Sequence, residues 1–214
     1  MKQTILITPT GYETGVTSIC LGLFHALDKQ GIKVAFCKPI AQGSGKAKGV
    51  EPSVSFIREI KKLAVPNPIA LQQAVQLMAQ GKSDDLMELV VEKVDQAAED
   101  ADVIIIEGLV PQDDSPFIHK INTSIANSLD SQVILVAAEG AASGAEQAQA
   151  WVNQLKVTAK VYGHSKEANV LGFVLNKVGA TKQQSKSALP VEITGNQLVA
   201  SNLNLDDFES QVNL

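Results

Sequence analysis

The sequence lacks a basic block and lacks any apolar run that approaches the length of a membrane-spanning helix. Pro9 and Gly11 interrupt the N-terminus before the apolar core of a signal peptide could form. The formal net charge of -5 is spread without a cationic cluster, which excludes the electrostatic footprint of a nucleic-acid-binding protein. These absences predict a cytoplasmic protein that binds neither nucleic acid nor a membrane.

Cysteine and histidine are also scarce, with two cysteines and three histidines among 214 residues. Their spacing matches neither a disulfide framework nor a metal site. Cys20 falls in a predicted helix and Cys37 ends a predicted strand, which favours buried thiols. We therefore predict no metal site.

Short apolar runs alternate along the chain with stretches of helical periodicity. Strands separated by helices pair in parallel, with helices covering both faces of the sheet. The pattern predicts an α/β three-layer sandwich with a mostly parallel central sheet. Predicted strands cover 2–8, 33–37, 103–107, 131–138 and 170–175, and predicted helices cover 16–27, 53–63, 71–80, 84–100, 121–129 and 145–159.

The last part of the chain is patterned differently. Residues 179–190 are polar and linker-like, and 191–214 show only weak apolar periodicity. We predict a domain over 1–178, followed over 179–214 by a linker-like stretch and the weakly patterned end of the same domain.

The stretch ITPTGYETGVTS at 7–18 lies between the first predicted strand and the first helix. A phosphate-binding loop of the form G-x-x-x-x-G-K-S/T uses backbone N–H groups, a lysine and a hydroxyl to hold phosphates and magnesium. Gly15 and Thr17 fit this pattern, but Val16 occupies the lysine position and Thr10 the position of the first glycine.

An anion-binding nest is therefore predicted, without the point charge that stabilises a transferred phosphoryl group. We assign no catalytic residue for this reason. The alternative is that the glycines only allow a sharp turn from the strand into the helix. The predicted nest residues are Gly11, Gly15, Thr17 and Ser18.

Three further residues lie at the carboxyl ends of predicted strands, where ligands bind in parallel sheets. Lys38 could contact a phosphate and Glu107 could hold magnesium or its waters, or the two side chains could neutralise each other. Asn176 could hydrogen-bond a nucleotide base, or it could supply ordinary turn chemistry at the end of a strand.

Together these motifs resemble the N-terminal domain of the long form of bacterial phosphate acetyltransferase. The stretches that carry the resemblance are ITPTGYETGVTSICLGLFHAL, CKPIAQ at 37–42, IIIEGLVP at 104–111 and GFVLNKV at 172–178. That domain is similar to dethiobiotin synthetase and belongs to the P-loop nucleotide-binding superfamily. The resemblance implies that Gly15, Thr17, Lys38, Glu107 and Asn176 occupy the positions of the synthetase's site residues, with Val16 as the departure.

The resemblance also implies a division of labour. In that family a separate C-terminal domain transfers acetyl groups between coenzyme A and phosphate, and the N-terminal domain is associated with regulation and oligomer stability. It implies no required cofactor, an effector such as ATP, NADH or pyruvate, and two kinds of partner: the protein's own catalytic domain and the other subunits of a homo-oligomer. The middle and catalytic domains are expected to lie outside this chain.

One segment of the resemblance departs further. Relatives often carry an aspartate for magnesium within 43–51, whereas this chain has Lys46 and Lys48 there, with Glu51 as the nearest acid. This weakens the case for magnesium-dependent catalysis. Two alternatives to a regulatory domain stay open: an ATP-dependent enzyme of the dethiobiotin synthetase type, and a structural interaction domain without a ligand.

Overall fold

The computed structural model describes residues 3–42, 51–111, 117–138, 145–162 and 170–177. The predicted linker-like end at 179–214, together with Lys46 and Lys48, lies outside these described residues. The strands are β1 Gln3–Pro9, β2 Val34–Cys37, β3 Ile40–Ala41, β4 Ile69–Ala70, β5 Val103–Glu107, β6 Gln132–Ala138 and β7 Val170–Asn176. The helices are α1 Val16–Lys29, α2 Pro52–Lys61, α3 Leu71–Ala79, α4 Ser83–Ala97, α5 Phe117–Ser128 and α6 Ala145–Tyr162.

The central sheet has five strands in the order β2-β5-β1-β6-β7, and every neighbouring pair is parallel. The predicted parallel α/β architecture is confirmed. Numbered within the sheet, its strands follow the order 2-3-1-4-5, which puts β1 at the centre. Strands β3 and β4 form a separate parallel pair that the sequence did not predict, because a two-residue strand has too few residues to show an apolar pattern.

Two apolar clusters lie on opposite faces of the sheet, because successive strand side chains point to opposite sides. Ile5 and Ile7 of β1 join the cluster under α1 and α2, whereas Leu6 joins the larger cluster under α3 to α6. The three-layer arrangement follows from this alternation. Among the residues that the structure describes, no helix is both long and apolar enough to cross a membrane.

Helix α1 shows how the sequence sets one of these layers. Val16, Cys20 and Phe24 recur every four residues and form its buried stripe. Gly31, with φ 81°, ends the helix by donating its N–H to the carbonyl of Asp28. Cys20 and Cys37 are buried free thiols, as predicted.

The parallel register brings the carboxyl ends of the strands to one edge of the sheet. Ile7 of β1 pairs with Glu107 at the end of β5, and Cys37 at the end of β2 pairs with Ile106. Asn176 ends β7 on the same edge, beside Ala138 of β6. The loop between β1 and α1 also starts here, so the fold gathers the predicted site residues at a single edge.

Candidate ligand-binding site

The loop of residues 10–15 is anchored at its start and capped at its end. Thr10 donates its N–H to the carbonyl of Val136 at 2.9 Å, and Gln154 donates its side-chain amide to the carbonyl of Thr10 at 2.9 Å. Gly15 precedes α1 in a left-handed conformation, with φ 78° and ψ 30°. The N–H groups of the first helical turn, beginning at Val16, have no partner within the helix and give this end partial positive charge. Partial positive charge at a helix N-terminus is the backbone feature on which an anion nest depends.

Gly15 and Asn176 lie in contact across the loop. The amide of Asn176 donates from Nδ2 to the carbonyl of Thr14 at 2.9 Å, and its Oδ1 accepts the N–H of Lys177 at 2.9 Å. A Cβ atom at position 15 would lie 2.5 Å from Nδ2 of Asn176. Asn176 thus closes the loop from the side, and both of its polar atoms already have partners within the chain.

Lys38 lies between two buried carboxylates. Its Nζ donates to Oε1 of Glu107 at 2.7 Å and lies 2.9 Å from Oε1 of Glu51. Thr17, in the first turn of α1, donates its hydroxyl to the same Oε1 of Glu107 at 2.8 Å. The exposed fractions are 4% for Lys38, 6% for Glu51 and 1% for Glu107. This cluster connects the loop to the ends of β2 and β5.

The electrostatics of the cluster favour a charged lysine. Burial by itself would lower the pKa of Lys38, but the carboxylates of Glu107 and Glu51 outweigh it and raise that pKa above its usual value. Two effects raise the pKa of the Cys20 thiol: burial, which is the larger, and the nearby negative charge of Glu107.

Two polar atoms of the site have no hydrogen-bond partner within the described residues: Oε2 of Glu107 and Oγ1 of Thr14, both buried. Unpaired buried acceptors and hydroxyls are uncommon in folded proteins, so each marks a place where a ligand or a water could bind. The loop offers N–H groups and hydroxyls, whereas the described cation beside it, Lys38, is already paired with two carboxylates.

Val16 has an exposed fraction of 4% and packs in the apolar cluster under α1. The residue at the lysine position is therefore part of the core. Of the other predicted nest residues, Ser18 is exposed at the loop end of α1. Gly11 has room for a side chain, since a Cβ there would lie 3.7 Å from Nε2 of Gln154.

The motifs CKPIAQ and EGLVP are joined by hydrogen bonds between Gln42 and Val110. Gln42 donates its amide Nε2 to the carbonyl of Val110 at 2.8 Å and accepts the N–H of Val110 at 2.5 Å. The N–H of Gly108 donates to the carbonyl of Ile7 at 2.9 Å, and a Cβ on Gly108 would lie 3.1 Å from that oxygen. These contacts fix the backbone that carries Lys38 and Glu107.

The sequence interpretation missed two residues of this region. Asn122 of α5 is buried, accepts the N–H of Leu109 at 2.9 Å and donates to the carbonyl of Leu109 at 2.8 Å and to Oγ1 of Thr8 at 3.1 Å. Tyr162 also contacts Thr8, at 3.1 Å between hydroxyls, and burial raises its pKa to about 12. Asn122 did leave a signal, because it is a polar residue on the apolar stripe of Ile118, Ile121 and Ile125.

Comparison with known proteins agrees with this fold. The family model described as AAA domain matches residues 3–205. Phosphate acetyltransferase of Pseudomonas aeruginosa is 37% identical over 176 residues, which cover 82% of this chain and 24% of that protein. Phosphate acetyltransferase of Haemophilus influenzae is 34% identical over 190 residues, which cover 89% of this chain and 26% of that protein. The chain thus spans about a quarter of the length of these curated relatives.

A solved structure has the same fold at low sequence identity. The crystal structure of a DUF1611 family protein from Anabaena variabilis matches with a TM-score of 0.54 and 15% identity, over 82% of this chain and 46% of that chain. At this identity, the match shows only that the two proteins share a fold. The predicted P-loop NTPase-like fold and the resemblance to phosphate acetyltransferases are confirmed.

Proposed function

The chain belongs to the AAA domain family, and from that premise we propose that it is a regulatory binding domain of a phosphate acetyltransferase. The similarity to phosphate acetyltransferases over about a quarter of their length supports this proposal. Under this proposal, the parent protein converts acetyl-CoA and phosphate to acetyl phosphate and coenzyme A, and a different domain catalyses that reaction. The domain acts in the cytoplasm, stabilises the homo-oligomer and passes an effector signal to the catalytic domain.

One observation carries the non-catalytic assignment: Val16, at the loop-lysine position, is a core residue. Lys38, at the end of β2, is paired with two buried carboxylates. Phosphoryl transfer depends on cations placed on the charge that develops at the transferred group. Here the described cation of the crevice already has its charge compensated. The arrangement therefore favours holding an anion over transferring a phosphoryl group.

The proposed effector is a phosphorylated or carboxylated metabolite such as ATP, NADH or pyruvate. It would bind where the loop N–H groups and Thr17 meet the carboxyl ends of β1 and β5. Gly15 is central to this site, because its left-handed backbone lets the loop enter α1. Any larger side chain there would collide with Asn176.

The experiment is a calorimetric and thermal-shift panel with ATP, NADH, pyruvate, phosphate and coenzyme A. A ligand at about 100 times its Kd adds about 2.7 kcal/mol to the free energy of unfolding. Gly15→Asp should abolish the response, because it adds a carboxylate to the nest. Gly31→Asp is the matched control, since Gly31 also has a positive φ but lies in open space at the other end of α1.

Two results would contradict the proposal. The chain alone should form no acetyl phosphate from acetyl-CoA and phosphate, so robust formation would refute the division of labour. ATP hydrolysis that disappears in Lys38→Ala would favour an ATP-dependent enzyme instead.

A second candidate function is an interaction domain without a ligand, which is favoured by the pairing of Lys38 with two buried carboxylates. It predicts that none of the five compounds changes the melting temperature. A response that Gly15→Asp removes and Gly31→Asp keeps would exclude it.

A further inference from the structure

Two buried polar atoms without a partner lie at the N-terminal end of α1. Oε2 of Glu107 and Oγ1 of Thr14 have no hydrogen-bond partner within the described residues, although the two residues are only 1% and 4% exposed. Thr14 lies directly before Gly15, which precedes α1. The other carboxylate oxygen of Glu107, Oε1, accepts the hydroxyl of Thr17 in the first turn of that helix. Both unpaired atoms therefore belong to the same end of one helix.

The two unpaired atoms need different partners. The hydroxyl of Thr14 can donate to an anion, and so can the backbone N–H groups at the start of α1. The carboxylate of Glu107, which is ion-paired with Lys38, can only accept, so its Oε2 needs a donor. Leaving a buried polar group unpaired costs free energy. A ligand that pairs both atoms must therefore be an anion that also brings a hydrogen-bond donor.

Hydrogenphosphate, a form of inorganic phosphate near neutral pH, meets both conditions. It is an anion, and its remaining P–O–H group donates a hydrogen bond. Sulfate has the same tetrahedral shape but carries no proton at this pH. A phosphate ester also lacks this proton above its second pKa, which is about 6. The proton on the ligand is thus the property that Oε2 of Glu107 can distinguish.

We propose that the N-terminus of α1 binds inorganic phosphate as hydrogenphosphate, and that Glu107 selects this ion by accepting a hydrogen bond from its P–O–H group. The hydroxyl of Thr14 and the N–H groups of the first turn donate to the other phosphate oxygens. The inference rests on the proposed function, because it assumes that a ligand enters the crevice between the loop and β5. It deepens that function by naming the ligand, since phosphate is a substrate of the reaction proposed for the parent protein.

The experiment measures binding of inorganic phosphate, sulfate and methyl phosphate by magnesium-free calorimetry at about pH 8, where a phosphate ester has lost its second proton. The wild type should bind phosphate at least about tenfold more tightly than the other two anions, because each of them leaves Oε2 of Glu107 without a donor. Glu107→Gln should bring the three dissociation constants within about threefold of one another, since an amide both donates and accepts. A general loss of structure would weaken all three anions alike and would not change their ratio. Glu59→Gln, which removes an exposed carboxylate on α2, should keep the wild-type ratio.

Thr14→Val covers the case in which Glu107→Gln does not fold. The substitution removes an unpaired buried hydroxyl, so it should not lower the melting temperature of the free protein. It should nevertheless weaken phosphate binding by about threefold to tenfold, because one donor to the anion is lost. Ser131→Ala is the matched control: its Oγ is also buried without a partner among the described residues, but Ser131 precedes β6 at the amino end of that strand, away from the site. Unchanged phosphate affinity in Thr14→Val would overturn the placement of the anion.

The outcomes separate this inference from the proposed function. Equal binding of phosphate and sulfate by the wild type would overturn the inference, and so would selectivity that survives Glu107→Gln. A thermal response to ATP, NADH or pyruvate without binding of phosphate would overturn the inference and leave the proposed function in place. Phosphate binding that requires magnesium and is lost in Glu107→Gln would overturn the inference by assigning Glu107 to a metal ion. If no compound binds the wild type, both the inference and the proposed effector site fail.

Discussion

Gly15→Ala tests the geometry of the loop through stability alone, without a ligand. Gly15 holds φ 78° and ψ 30°, and an added Cβ would lie 2.5 Å from Nδ2 of Asn176. The side-chain amide of Asn176 must then move, which breaks its hydrogen bond to the carbonyl of Thr14. The substitution therefore adds two separable costs, one in the backbone and one in the contact.

The magnitudes follow from these two costs. A non-glycine residue in the left-handed region costs about 1–2 kcal/mol, and the lost hydrogen bond costs about 1 kcal/mol. Gly15→Ala should lower the free energy of unfolding by about 2–3 kcal/mol as the sum. Gly31→Ala isolates the backbone cost, since Gly31 has φ 81° and nothing within 4 Å of an added Cβ.

Urea denaturation of the variants measures these differences. Gly22→Ala is the control for the general effect of alanine, because Gly22 lies within α1 with open space around it and should gain up to about 1 kcal/mol. In the background of Asn176→Ala, Gly15→Ala should cost no more than Gly31→Ala. The reasoning is refuted if Gly15→Ala costs no more than Gly31→Ala in the wild type, or if its cost is unchanged by Asn176→Ala.

Two further predictions concern buried ionisable groups. Lys38→Met should lower the free energy of unfolding by about 3–5 kcal/mol, because it leaves two buried carboxylates without this cation. In urea titrations, the double variant Lys38→Met with Glu107→Gln should recover part of this loss. No recovery would contradict the pairing of Lys38 with Glu107. Burial raises the pKa of Cys37 to about 12. The contribution of this thiol to the free energy of unfolding is therefore fully present below the thiol pKa of the unfolded chain. It should be lost as the pH rises above about 8.5, by up to about 1.4 kcal/mol per pH unit. Cys37→Ala should flatten this decline, and equal slopes for the two proteins would contradict the assigned cause.

The sheet could be predicted from the sequence because its strands are buried on both faces and appear as continuous apolar runs. Val103–Glu107 is buried at every position, so VIIIE could be placed without knowing its neighbours. Helix ends were less accurate. Helix α5 includes Phe117, four residues before the predicted start, because apolar periodicity marks the buried stripe of a helix and not its first residue.

The positions of the site residues could be predicted only where a general rule of sheet topology places them at one edge of the sheet. Lys38 follows β2 and Glu107 ends the adjacent β5, so the rule that parallel strands end at one edge brought them together. Glu51 precedes α2, which packs in the apolar cluster with α1 through Val54 and Ile57, and no local pattern encodes that packing. Asn176 was predicted at the correct edge, but its amide contacts the loop backbone.

The valine in the loop and the pairing of Lys38 are parts of one electrostatic arrangement. Here Val16 extends the buried stripe of α1 to its first residue, so packing stabilises the start of the helix without a ligand. Glu107 accepts the hydroxyl of Thr17, and Lys38 contacts both Glu107 and Glu51. The ends of β2 and β5 are therefore joined to the start of α1 by side chains of the chain itself, through Lys38, Glu107 and Thr17.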